Sequence, residues 1–175
     1  MKKIIVLLTV IGMMAVFTTT VTAQSTTDTK SNAAKAEVLS AIALTAVNPL
    51  EFGGFTPGTG GTVVVTSAGV RSKTDFVTLV TGTVTFTPAS YTVTGTGLAT
   101  YAITIPTASF NVVNTTDVVP HATMAVTAME CSYALLHSAF LAGGTDAFTV
   151  GGTLTVASGQ VAGIYAGTFN VTVAY

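Results

Sequence analysis

Residues 165–175 read YAGTFNVTVAY, and no other stretch of the chain alternates so regularly. An extended chain sends successive side chains to opposite faces, so Tyr165, Gly167, Phe169, Val171, Val173 and Tyr175 share one face. Ala166, Thr168, Asn170, Thr172 and Ala174 share the other. An apolar face backed by small and polar residues is the pattern of a half-buried antiparallel strand. Reading backwards from this segment gives more of the same. Phe148, Val150, Leu154 and Val156 fall on one face of a strand interrupted by Gly151-Gly152.

Further upstream, Tyr91, Val93 and Gly95, then Tyr101, Ile103 and Ile105, alternate with Thr and Ala on either side of Gly95-Thr96-Gly97. That pair predicts a hairpin. Short strands are expected at Thr62–Thr66, Phe110–Val113 and Met124–Ala128, and a longer one at Phe76–Phe86 with Gly82 as a bulge. Pro57-Gly58-Thr59-Gly60-Gly61 and Ser67-Ala68-Gly69 read as turns, the second delivering an exposed basic pair, Arg71 and Lys73. Met129, Tyr133, Leu136 and Phe140 fall at helical spacing and predict one helical turn. About eight short strands and at most one short helix describe an all-β domain. The expected architecture is an immunoglobulin-like or Greek-key β-sandwich, with a barrel as the alternative.

The amino-terminal end has a different character. Lys2 and Lys3 precede an apolar run from Ile4 to Phe17, and Val21-Thr22-Ala23 supplies small residues before a cleavage point. Residues 1–23 therefore read as a secretory signal peptide, its apolar run short of the ~20 residues a bilayer span needs. The mature protein is expected to be exported, to the periplasm, the cell surface or the medium, with no membrane segment. Residues 24–36 lack bulky apolar side chains and read as a flexible lead-in, leaving 37–175 as the domain. Val38–Val47 is apolar on both faces and reads as a buried first strand, although a helix drawn through residues 33–46 fits as well.

Only 7% of the residues are charged, and threonine fills most of the polar positions that charge would otherwise take. Beyond residue 23 there are four basic and seven acidic side chains, a net charge of −3 that attracts neither nucleic acid nor an anionic membrane surface. The inventory for catalysis is thin. His121 and His137 lie too far apart for a short metal-binding spacing, and no nucleophile elbow, phosphate loop or calcium loop occurs. Cys131 is the single cysteine, so no internal disulfide forms, and a structural role suits it better than a pairing with His137. Asn114 and Asn170 sit in glycosylation-like triplets that threonine-rich chains produce by chance. No catalytic, cofactor-binding or metal-binding residue is assigned, and no cofactor is expected.

Four motifs nevertheless stand together: L-x-F-G at Leu50–Gly53, P-G-x-x-G-T-V-x-V at Pro57–Val65, F-x-V-G-G-x-L-x-V at Phe148–Val156, and Q-x-x-G-x-Y-x-G-x-F-x-V-x-V-x-Y at Gln160–Tyr175. With these the chain resembles the bacterial exported family catalogued as domain of unknown function 4402. The last segment is also similar to the final strand of chaperone-usher pilins, with Gly163 twelve residues before Tyr175, although the aromatic is terminal and there is no cysteine pair. The leader, the thin catalytic inventory and the alternating last strand together lead to the expectation of a non-enzymatic extracytoplasmic structural subunit, fimbria-like or surface-assembled through β-strand pairing. Its expected partners are other copies of itself or a periplasmic assembly chaperone. The alternative is a self-contained ligand-binding or adhesive sandwich. If a strand is donated, residues 24–35 are too polar to be the donor, which leaves Val38–Val47.

Overall fold

A computed structural model describes residues 27–82, 84–133 and 138–175, with 138–140 described by backbone alone. The signal-peptide residues and His137 lie outside the described residues. The chain divides into two units, 1–37 and 38–175. In the first, residues 27–37 are exposed and have no regular structure.

The second unit is built from strands, all paired antiparallel. In chain order they are β1 (Ala43–Asn48), β2 (Phe55–Thr56), β3 (Gly61–Val65), β4 (Arg71–Lys73), β5 (Thr78–Leu79), β6 (Ala89–Thr94) and β7 (Thr100–Thr104). They continue with β8 (Phe110–Asn114), β9 (Thr123–Cys131), β10 (Ser138–Phe140), β11 (Thr145–Val156), β12 (Tyr165–Ala166) and β13 (Thr172–Ala174). The only helical piece among the described residues is a 3-10 turn at Ala142–Gly144. The front layer is a large sheet in the order β1-β6-β11-β9-β8-β12, and β3 joins β11 beyond β6 and carries β4. A three-stranded sheet, β10-β7-β13, and a two-stranded ribbon, β2-β5, form the back. The expectation of an all-β, sandwich-like domain holds.

Strand β11 is the spine. Its first half pairs with β6 through Thr145–Val150, its second half pairs on the same side with β3 through Gly152–Val156, and β9 runs along its other side. Gly151 has to be glycine, because a Cβ there would meet the backbone of Val65, Thr66 and Ser67 where β3 ends. Two clusters of buried side chains follow. One contains Val93, Tyr101, Ile103, Phe148 and Val150 between the two sheets. The other contains Val63, Val77, Met124, Val126 and Leu154 beneath the ribbon. Burying each valine or leucine stabilises the fold by about 1.5–3 kcal/mol relative to leaving it exposed.

Several expectations need correction. The hairpin over 91–105 does not form: β6 lies in the front sheet and β7 in the back one. The linker bonds elsewhere, Gly95 N–H to Gly144 and Leu98 N–H to Leu141, so the chain arches over the core. Alternation fixes which side chains point inward, not which sheet a strand joins. No helix runs through the whole of Met129–Phe140, since Met129–Cys131 extend β9 and Ser138–Phe140 form β10; residues 134–137 lie outside the described residues. Phe76–Phe86 contributes only the two residues of β5. Val38–Val47 is neither helical nor a buried strand: β1 starts at Ala43, pairs with β6 of its own chain, and is exposed except at Leu44. As an edge strand rich in alanine it buries little.

The closing segment is split. Tyr165–Ala166 pairs with β8 in the front sheet and Thr172–Ala174 with β7 in the back one. The inward phase survives the crossing, for Tyr165, Phe169, Val171 and Val173 are half-buried while the intervening residues are exposed.

Candidate functional site

The back layer does not cover the whole front sheet, and the gap is a cavity of about 580 Å³. Its floor is the inward face of the front sheet: Phe110 and Val112 of β8, Met124 and Val126 of β9, and Leu154 of β11. One wall is Leu50–Pro57, containing β2, and the other is the arm from Gln160 to Phe169. Alternation on three neighbouring strands puts five apolar side chains on the same floor, so the site is a consequence of the strand register.

Both walls are held by specific bonds. Arg71 donates from Nη2 to the Gly54 carbonyl at 2.6 Å and from Nη1 to that of Val80 at 3.3 Å, with its guanidinium 5.4 Å from the Phe86 ring centre. Burial lowers the pKa of this guanidinium, and its Nε has no partner among the described residues. Arg71 is therefore half-buried and anchors the Gly53-Gly54 wall, contrary to the exposed role expected for it. Gly53 has φ +71°, and a Cβ there would stand 3.0 Å from Arg71 Nη1.

The opposite wall hangs from Asn114, which is fully buried. Its Oδ1 accepts from Thr116 N–H at 2.9 Å, Thr116 Oγ1 at 2.8 Å and Asp117 N–H at 3.2 Å, and its Nδ2 donates to the Ala162 carbonyl at 3.3 Å. Gly163 packs so closely that a Cβ would collide with Asn114 and Thr116. That contact gives Gly163 a local reason to be glycine, apart from its distance to Tyr175. Buried in this way, the Asn114 amide is closed to modification in the folded chain. Tyr165 Oη donates to the Val161 carbonyl at 2.7 Å and accepts from Gln160 Nε2 at 2.8 Å, tightening the arm, and Phe169 stacks on Phe110 with ring centres 5.5 Å apart. Thr168–Asn170 make no backbone hydrogen bond to any described residue. The rim of the cavity thus includes a segment whose backbone donors and acceptors have no partner among the described residues.

These observations bear on identity through residues 42–175, which match the domain of unknown function DUF4402. The chain belongs to the DUF4402 family. No curated protein and no solved structure matches this DUF4402 chain. The matched span includes both walls and the floor of the cavity.

The residues considered for chemistry are dispersed. His121 Nδ1 lies 2.7 Å from Asp117 Oδ1 on an exposed turn. The Asp117 carboxyl is held below its usual range, first by the Ala122 N–H and then by His121. Cys131 is half-buried against the first core cluster, where burial raises its pKa and favours the unreactive thiol. Among the described residues, no group of three or more His, Cys, Asp or Glu is placed to hold a metal.

One polar cluster escaped sequence reasoning. Tyr101 and Tyr133 both donate to the Asp146 carboxylate, at 2.9 Å and 2.7 Å, beside the first core cluster. Burial and the carboxylate push the Tyr133 hydroxyl up to about 12 and raise that of Tyr101 further. The available signal was that Asp146 shares the inward phase of Phe148 and Val150.

Proposed function

We propose that this DUF4402 protein is a non-enzymatic structural subunit that acts outside the cytoplasm and assembles, fimbria-like or on a surface, through β-strand pairing. The observation that carries the reading is the unpaired, alternating segment Thr168–Asn170 on the rim of an apolar cavity. An incoming strand gains backbone hydrogen bonds along such an edge and buries every second side chain in the gap. The leader-like residues 1–23 support export, and the scattered titratable groups support a role without catalysis. Its partners are further copies of the chain or an assembly chaperone that covers the same edge.

Electron microscopy and sedimentation of the chain without residues 1–23 test this. Concentration-dependent polymers are expected. Thr168→Pro and Asn170→Pro, which remove edge donors without breaking an internal bond, should abolish them while leaving the circular dichroism spectrum unchanged. Wild-type protein that stays monomeric at high concentration, or polymers indifferent to both prolines, would refute the reading.

The cavity itself favours a second reading. Its volume falls within the ~300–1,000 Å³ of small-molecule sites, and Phe52, Phe55, Phe110 and Phe169 line it. A self-contained binding module would take up an uncharged, largely apolar ligand. Saturable, stoichiometric binding of such a probe to the monomer, lost on Phe110→Asp, would favour this reading over assembly.

A further inference from the structure

The outward face of the front sheet differs from an ordinary solvated surface. Register places Ala43, Thr94 and Thr145 in one row across β1, β6 and β11, and Thr45, Thr92 and Ala147 in the next. Thr153 lies between Val64 and Thr127, and Thr155 beside Thr62. The side chains are short and uncharged, where about a quarter to a third of a typical surface is charged. Asp146 faces the core, and Glu130 of β9 is tied at 2.6 Å to the Ser67 N–H.

This face has relief at one place. The pairing of β1 with β6 slips between Ala46 and Asn48, and the extra residue, Val47, is 58% exposed. Val47 itself walls a depression of about 280 Å³, whose other walls are Ser90–Thr92, Ser132 and Ala147–Thr149. An exposed valine on the rim of a hollow whose other outward-facing side chains, Ser90, Thr92, Ala147 and Thr149, are small is self-complementary. Under a two-fold axis, each Val47 enters the hollow of the other copy.

We propose that two copies of this chain pair front face to front face, with Val47 of each seated in the other's depression. Charge on this face is sparse: Glu130 is exposed there, and its carboxylate accepts from the Ser67 N–H of its own chain. The area is sufficient, because four strands about 4.8 Å apart, followed over the roughly 40 Å run of β11, present close to the ~800 Å² per partner of a standard interface. The face lies on the opposite side of the sheet from the cavity, so pairing leaves the strand-acceptor rim free and does not depend on it.

Sedimentation equilibrium of the chain without residues 1–23, combined with Thr168→Pro to suppress strand-mediated polymers, isolates this contact. A monomer–dimer equilibrium is expected. Ala147→Lys sets two like charges at the centre of the contact and Val47→Lys removes the inserted side chain, and each should raise the dimer dissociation constant by at least tenfold. Thr104→Lys, an exposed substitution on the back sheet, should leave it unchanged. Circular dichroism establishes that each variant is folded, and Val47→Ser, milder on the edge strand, serves if Val47→Lys is not. A monomer at every concentration, or a dimer as stable in Ala147→Lys and Val47→Ser as in the parent, would overturn the proposal. Loss of polymers in Thr168→Pro with the dimer retained would leave both readings standing separately.

Discussion

The two halves of the core share one front sheet and differ in what lies behind it. Under β7 and β13 the gap is closed, and Tyr101 and Ile103 from the back meet Val93, Phe148 and Val150 from the front. Under β2 and β5 the front sheet presents an equally apolar face, yet the back consists of a ribbon of two two-residue strands and the 160–169 arm, and about 580 Å³ stays unfilled. The difference lies in the back layer. Phe76–Phe86 has the composition of a full strand but supplies only Thr78–Leu79, and Phe76, Val84 and Phe86 remain exposed. A sandwich can therefore keep its front pattern intact where its back layer is incomplete.

Truncation of matched aromatics in the two halves measures the contrast most directly. Phe148→Ala removes a fully packed ring that also stacks on Tyr91 at 5.1 Å, and should cost about 3–5 kcal/mol in urea unfolding. Phe55→Ala, in the ribbon over the open half, should cost about 1 kcal/mol, because its half-buried ring already lines the cavity. Equal losses at the two sites would mean that the second half is packed as tightly as the first.

Between these falls Asn114→Ala. It removes the acceptor for two backbone N–H groups and the donor to Ala162, and should cost about 2–3 kcal/mol, with faster hydrogen exchange confined to residues 160–166. Exchange that rises across β7 and β13 as well would show that the two halves unfold as one.

How much of this was legible beforehand follows from the same contrast. The inward phase of β6, β7, β8, β11 and the closing segment could be read from alternation, because a period of two is a local property. Sheet membership was not legible. The 91–105 segment looks like a hairpin until Gly95 and Leu98 are seen to bond to residues 141–144, contacts that no local pattern encodes. The cavity was hidden for the same reason, since its floor reads as ordinary core and its opening depends on a strand that fails to form. Arg71 was misread as a surface charge because its partners, the carbonyls of Gly54 and Val80, are backbone atoms without a sequence signature.

The smallest expected effect concerns the closed half alone and appears at alkaline pH. Tyr133, at about 12, and Tyr101, higher still, titrate above the ordinary tyrosine value of about 10 because burial and the Asp146 carboxylate disfavour a second negative charge. A raised folded-state pKa means that the neutral hydroxyl is the form the fold stabilises. That stability is complete below about pH 10 and is lost as pH climbs from about 10 toward the folded values. Chemical denaturation of the wild type should therefore show a falling midpoint over this window, and Tyr133→Phe should flatten part of the fall. The same substitution strips a donor from Asp146, so a small loss at neutral pH accompanies it, and the slope rather than the offset is the diagnostic quantity. If the alkaline limb of Tyr133→Phe is as steep as that of the wild type, the hydroxyl beside Asp146 is not what ties the closed half to pH.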